Sequence, residues 1–216
     1  MTAGARSRFA AAGGLYLVIT EPAIPHVALV AAAVLRAVPA IQLREKHLPD
    51  RELAALARTL VEATRGTGTL LILNDRPDLA AAAGADGVHV GRGDADAASA
   101  RRIVGEQAIV GVSANTPVEV EEAARAGADY VGVGPIFPTA TKPDARAPIG
   151  AAGLRDAVRA AAGLPTVAIG GITRDRAPEV IEAGADYVAV VSAICHADDP
   201  VAALDDFLKT LSEGVA

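Results

Sequence analysis

Ala126-Gly127-Ala128-Asp129-Tyr130-Val131-Gly132-Val133-Gly134 reads as the end of a helix followed at once by a strand. Ala-Gly-Ala-Asp recurs at 83–86 and 183–186, each time ahead of an apolar run, Gly87-Val88-His89-Val90 and Tyr187-Val188-Ala189-Val190. Glycine readily takes the left-handed conformation that stops a helix, and β-branched and aromatic residues then suit a pleated, buried strand. Working outward, strand-like runs fall at 15–20, 40–44, 69–74, 87–91, 108–113, 129–134, 165–170 and 186–191. Helical segments fall at 26–38, 50–64, 76–84, 95–104, 117–126, 150–162, 174–183 and 200–212. Strict β and α alternation implies a parallel sheet with right-handed crossovers. Eight units predict a single-domain α/β protein, a closed (β/α)8 TIM barrel over 14–216. The alanine-rich start, Met1 to Gly13, has arginines and no apolar signal core, and is read as a flexible tail.

Composition narrows the function. Of 216 residues 50 are Ala and only 3% are aromatic, so packing rests on small and branched aliphatics. The single cysteine, Cys195, excludes an internal disulfide and suits a reducing, cytoplasmic setting; it reads as a small buried apolar residue without catalytic weight. With a net charge of −6 and scattered basic residues, a nucleic-acid groove is not expected, and any phosphate ligand must be small. No apolar run approaches the roughly 18 residues of a membrane span. The expected partners are small-molecule substrates, with no nucleic acid and no membrane; a homo-oligomer is compatible with the chain.

In such a barrel the chemistry belongs at the carboxyl ends of the strands. The second strand ends Gln42-Leu43-Arg44-Glu45-Lys46, and the period of two puts Gln42, Arg44 and Lys46 on one side, with Ile41 and Leu43 on the other. The third ends Asn74-Asp75; the fourth offers His89 and then Gly91-Arg92-Gly93-Asp94; the fifth ends at Ser113. After the sixth, no helical pattern resumes until about Gly150, and this long loop carries Pro135, Pro138, Thr139, Ala140, Thr141 and Lys142. Two hydroxyls and an ammonium suit phosphate oxygens. The seventh strand ends Gly170-Gly171 and the eighth Val191-Ser192, where barrels commonly bind phosphate through backbone N–H groups. Asp94 also stands where it would cap the helix starting at Ala95. Two carboxylates beside a cation cluster are, however, the usual way to hold Mg²⁺ against a pyrophosphate, so Asp75 and Asp94 are read as its ligands. His89, between two valines, is open between a satisfied core histidine and a ligand-facing group.

Taken together these segments resemble the thiamine-phosphate synthase family, which also holds the related thiazole tautomerases. The resemblance rests on Gln42 to Lys46, Asn74-Asp75, Gly87 to Gly91 with Asp94, Gly111 to Ala114, Gly134 to Lys142, Ala168 to Ile172 and Val190 to Ile194. It implies an enzyme that joins 4-amino-2-methyl-5-(diphosphooxymethyl)pyrimidine to a thiazole phosphate and releases pyrophosphate. It further implies that Gln42, Leu43, Arg44, Glu45, Lys46, Asn74, Ser113 and Lys142, with His89 beside them, hold the pyrimidine pyrophosphate. Thr139, Ala140, Thr141, Gly170, Gly171, Val191 and Ser192 would hold the thiazole phosphate, and Asp75 and Asp94 the Mg²⁺. Arg44, Lys46, Lys142 and Ser113 form the catalytic set, stabilising the leaving pyrophosphate as preorganised electrostatics. Two departures stand out: Arg92-Gly93 precede Asp94 where the family commonly has Gln-Glu or Gln-x, and Asn115 replaces a histidine often found after Ser-Ala. The alternatives are a tautomerase-like isomerase, which needs neither metal nor pyrophosphate, and a silent barrel that only binds a phosphorylated metabolite.

Overall fold

The structure is a computed structural model describing residues 4–91, 96–141 and 145–213. Strands β1 (Gly14–Ile19), β2 (Ala40–Leu43), β3 (Leu70–Asn74), β4 (Gly87–Val90), β5 (Ile109–Ala114), β6 (Tyr130–Val133), β7 (Thr166–Ile169) and β8 (Tyr187–Val190) pair in chain order. All are parallel, and β8 closes on β1. The helices among the described residues are α1 (Ala5–Ala11), α2 (His26–Leu35), α3 (Asp50–Thr64), α4 (Pro77–Ala83), α5 (Ala97–Val104), α6 (Pro117–Arg125), α7 (Gly150–Ala161), α8 (Ala177–Glu182), α9 (Ser192–Cys195) and α10 (Pro200–Glu213), with a 3₁₀ turn at Arg174–Arg176. The predicted (β/α)8 barrel is therefore the fold.

The repeated Ala-Gly-Ala-Asp does more than end helices. Gly84, Gly127 and Gly184 take φ of 75°, 84° and 95°, as the helix-to-strand return requires. Each following aspartate then accepts the backbone N–H at the start of the preceding strand: Asp86 from Leu71 (2.9 Å), Asp129 from Val110 (2.8 Å) and Asp186 from Thr166 (2.8 Å). One motif thus stops a helix and extends a parallel ladder by a side chain.

Two departures from the sequence reading have clear causes. The helix expected from residue 95 begins at Ala97, because Asp96 caps it by accepting the Ser99 N–H at 2.8 Å. The Ser99 backbone bond holds the Asp96 carboxyl below its ordinary range. Residues 5–11, read as tail, form α1 instead. Its Phe9 is buried and stacks on Tyr130 and Tyr187 with centroids 4.7 and 4.6 Å away, while Tyr187 Oη donates to the Phe9 carbonyl at 2.8 Å. Arg6 pairs with Asp129 at 2.6 Å and Arg8 with Asp86 at 3.3 Å, so two of the return aspartates also fasten this helix across the bottom of the barrel.

Two apolar layers result. Leu43, Val88, Val131 and their like face outward against the helices, whereas Tyr16, Val18, Leu70, Ile72, Ile109, Tyr130, Val167 and Tyr187 fill the barrel with Phe9 beneath them. All three tyrosines of this aromatic-poor chain lie inside. Replacing Phe9 with Ala should cost about 3–5 kcal/mol, the usual range for emptying a packed aromatic site. Urea unfolding would measure it, and a loss below about 1 kcal/mol would show that α1 does not close the barrel.

Candidate active site

The carboxyl ends of the strands surround a cavity of about 960 Å³, at the upper end of the usual size of ligand pockets. Gln42, Arg44, Lys46, Asn74, Asp75, His89, Ser113, Thr139, Ala140, Thr141, Gly170, Gly171, Val191 and Ser192 all line it. Asp94 and Lys142 lie outside the described residues. Leu43 and Glu45 do not reach the cavity. The period of two turns Leu43 into the helix layer. Glu45 has a side chain only 4% exposed, which accepts the Glu21 N–H at 2.6 Å and pairs with His26 Nε2 at 2.7 Å. It fastens the loop after β1 to the end of β2, and gives His26 a structural partner.

The wall formed by β2 and β3 is cationic with one carboxylate. Asp75 Oδ2 lies 3.4 Å from Lys46 Nζ, and the Asp75 backbone, at φ 62°, donates its N–H to the His89 carbonyl. A left-handed φ at a non-glycine residue is sparsely populated and is held here by that bond. Asp75 is the single carboxylate lining the cavity among the described residues, against the cations Arg44, Lys46, Arg146 and Arg176. A carboxylate on the rim of a cationic wall fits Mg²⁺ shared with phosphate oxygens.

The opposite wall, four strands away, is built from backbone. Beyond β6 the loop stays bonded to the end of β7, with Ile136 and Phe137 N–H donating to the Ile169 and Gly170 carbonyls at 2.9 Å. Its far end returns to its start, because Ile149 and Gly150 donate to the Pro135 and Ile136 carbonyls. Gly170 and Gly171 have φ of 105° and 62°, and a Cβ on Gly171 would lie 2.3 Å from the Pro138 carbonyl oxygen. Neither position admits a side chain. Arg176 braces this turn, donating to the Gly171 carbonyl at 3.0 Å while its guanidinium lies 4.8 Å above the Phe137 ring centre. The first turn of α9 opens on the cavity at Ser192 and Ala193.

The floor is polar, built from amide, phenol, imidazole and hydroxyl groups. Gln42 Nε2 donates to Tyr16 Oη at 3.0 Å, Tyr16 Oη lies 2.8 Å from Tyr130 Oη, and Tyr130 Oη lies 2.9 Å from His89 Nδ1. His89 Nε2 is 2.9 Å from Ser113 Oγ. Burial pushes the Tyr16 and Tyr130 phenols well above their ordinary range, so both keep their protons. His89 is therefore at once a hydrogen-bonded interior group and a cavity-lining one. Gly132 makes room for its ring, since a Cβ there would sit 2.9 Å from His89 Cε1; Gly134 makes room for backbone, its Cβ position being 2.1 Å from the Ile169 carbonyl oxygen. Asn115 Nδ2 donates to the Gly134 carbonyl at 3.0 Å, tying the end of β5 to the end of β6. Cys195 is buried, its thiol pushed up to about 11 by desolvation, in keeping with a packing role.

Tyr16, Tyr130, Arg146 and Arg176 line the cavity without having been singled out in the sequence. The inward phase of β1 and β6 was a usable signal for the two tyrosines. No local signal marks the arginines, which arrive from a loop and from the 3₁₀ turn.

Fold and site together define a phosphate-handling (β/α)8 barrel whose mouth carries a cationic wall facing a glycine turn. The chain belongs to the thiamine monophosphate synthase family, which matches residues 15–194. It is 50% identical over 192 residues to the thiamine-phosphate synthase of Moorella thermoacetica, covering 88% of this chain and 91% of that one. It is 51% identical over 178 residues to that of Chloroflexus aurantiacus, covering 82% of each. Among solved structures, thiamine phosphate pyrophosphorylase from Pyrococcus furiosus superposes with a TM-score of 0.85 at 38% identity, covering 98% of this chain and 99% of that one.

Gly171→Ala should destabilise the protein by about 1–3 kcal/mol, the usual cost of a strained backbone position. It should also weaken inorganic phosphate binding about tenfold, or about 1.4 kcal/mol. Calorimetric titration and thermal melts check both; wild-type values would contradict the crowding at Pro138.

Proposed function

We propose that the protein is a thiamine-phosphate synthase, a transferase that joins 4-amino-2-methyl-5-(diphosphooxymethyl)pyrimidine to a thiazole phosphate, carboxylated or not, releasing pyrophosphate and, from the carboxylated form, carbon dioxide as well. The observation that carries this reading is a single cavity with two anion-accepting walls: Arg44, Lys46 and Asp75 on one, and Gly170, Gly171 and Ser192 with Thr139 and Thr141 on the other. A reaction that brings a pyrophosphate ester together with a phosphate ester needs both. The family membership supports it across most of the chain.

Arg44 and Lys46, with Lys142 by resemblance, stabilise charge developing on the leaving pyrophosphate as the pyrimidine methylene C–O bond breaks. The thiazole nitrogen then supplies its lone pair to that carbon, forming the C–N bond. This nitrogen is neutral and carries no proton, so no base is required, and positioning does most of the work. Gln42 and Asn74, both lining the cavity, orient the pyrimidine. Asp75, with Asp94 by resemblance, would hold Mg²⁺, which supplies further neutralisation of the pyrophosphate oxygens. A cytoplasmic place of work belongs to the same proposal and is supported by the single buried free cysteine.

A tautomerase-like reaction is the less supported reading. It needs a group that takes and returns a proton, and the carboxamide of Asn115 does neither near neutral pH; it is engaged instead with the Gly134 carbonyl.

Two outcomes are expected. Supplied with both precursors and Mg²⁺, the protein releases pyrophosphate, while the carboxylated thiazole phosphate tautomer alone is not isomerised on the same timescale by NMR. Fast isomerisation without pyrophosphate release would reverse the assignment. Separately, a chelator should stop turnover and excess Mg²⁺ restore it in the wild type, but not in Asp75→Ala; undiminished turnover in the chelator would count against the metal site.

A further inference from the structure

The floor of the cavity is crossed by a continuous chain of hydrogen bonds contributed by β2, β1, β6, β4 and β5, in the order Gln42, Tyr16, Tyr130, His89, Ser113. We propose that Tyr16 and Tyr130 are positioning residues: with Gln42 they form a one-way chain that holds His89 in the tautomer protonated on Nε2 and so turns the Ser113 hydroxyl proton toward the anionic group of the substrate. The role given to Ser113 rests on the synthase reading above; the direction of the chain does not.

The direction follows from counting protons. Gln42 Nε2 is a donor only, so Tyr16 Oη receives at that end, and the acceptor within reach of its own proton is Tyr130 Oη at 2.8 Å. Tyr130, having accepted, donates to His89 Nδ1 at 2.9 Å. A neutral imidazole carries one N–H, so the ring proton sits on Nε2 and is donated to Ser113 Oγ at 2.9 Å. Run the other way, with the Gln42 amide as it stands, the chain sets the Tyr16 proton against the Gln42 amide N–H, an arrangement that buried polar groups rarely keep. Burial keeps both phenols protonated, so neither tyrosine breaks the chain by losing its proton.

The packing around the chain is fitted to these rings. A Cβ at Gly111 would lie 2.0 Å from Tyr130 Cζ, and one at Gly132 would lie 2.9 Å from His89 Cε1. The His89 and Tyr130 rings lie 5.5 Å apart, inclined by 29°. Direction matters because Ser113 lines the cavity. A hydroxyl that accepts from His89 offers its proton to an incoming anion, whereas one that donates to His89 shows that anion its lone pairs.

The test is NMR of ¹⁵N-histidine-labelled protein without substrate, with His89 assigned through His89→Gln. In the wild type, Nε2 should be protonated and Nδ1 bare and hydrogen-bonded. In Tyr130→Phe, which keeps the ring, the Nδ1 resonance should move to that of an unbonded nitrogen, and kcat should fall about tenfold with KM little changed. That loss is smaller than the 10²–10³ expected for removing a direct donor. Tyr187→Phe, whose hydroxyl bonds the Phe9 carbonyl instead, should leave the His89 resonances and kcat as they are. Should Tyr130→Phe not fold, Tyr16→Phe, which keeps Tyr130 but removes its donor, should move Nδ1 the same way by less. A wild-type His89 protonated on Nδ1, or a Tyr130→Phe protein with wild-type His89 resonances or wild-type kcat, overturns the proposal. Because the resonances need no turnover, a protein that makes no thiamine phosphate yet shows this tautomer would refute the synthase reading and leave the chain direction standing.

Discussion

Closing eight parallel strands creates an interior that side chains must fill, and in this chain four aromatic rings fill much of its lower part. Tyr16, Tyr130 and Tyr187 enter from the strands and Phe9 from below. Tyrosine brings bulk with a hydroxyl that has to be satisfied once buried. Tyr187 spends its proton on the backbone of α1, which makes the N-terminal helix part of the barrel. Tyr16 and Tyr130 satisfy each other, and the next partners outward are Gln42 and His89, whose side chains reach the cavity. The need to fill the interior and the need to satisfy its hydroxyls together produce the polar floor of the site.

Charge is arranged on the same frame. The chain is acidic overall, with a net charge of −6, yet the described cavity walls carry four cations and one carboxylate. Local concentration of charge at strand ends, and backbone turns that cost no charge at all, are the two general means of accepting a phosphate group. Arg176 shows how tightly the two are joined, since one guanidinium braces the Gly170-Gly171 turn and covers the Phe137 ring. Acidic residues serve elsewhere as ladder extensions, with Asp86, Asp129 and Asp186 accepting strand N–H groups at the far end of the barrel.

The repeated Ala-Gly-Ala-Asp and the eightfold β and α alternation were legible because helix stops and strand periods are local properties of the chain. The period of two likewise separated Gln42, Arg44 and Lys46 from Ile41 and Leu43. It was overridden where the family resemblance added Leu43 and Glu45, residues that in three dimensions pack and brace the wall from behind. The tail assignment failed for a different reason. Nothing within residues 5–11 announces a partner, and what orders α1 is contact with Asp86, Asp129 and two tyrosine rings more than 75 residues away.

Sequence by itself determined the barrel and the strand ends that carry polar groups, because each follows from propensity and periodicity over a few residues. Tertiary structure alone decided where strand glycines make room: Gly132 for the His89 ring, Gly134 for the Ile169 carbonyl and Gly111 for Tyr130. It alone decided that Asp96 caps α5, that Arg146 and Arg176 reach the cavity, and that five strands share one hydrogen-bonded chain. Hydrogen bonds and ring contacts between residues far apart in the chain have no local signature; they exist only once closure of the sheet brings their strands to one axis.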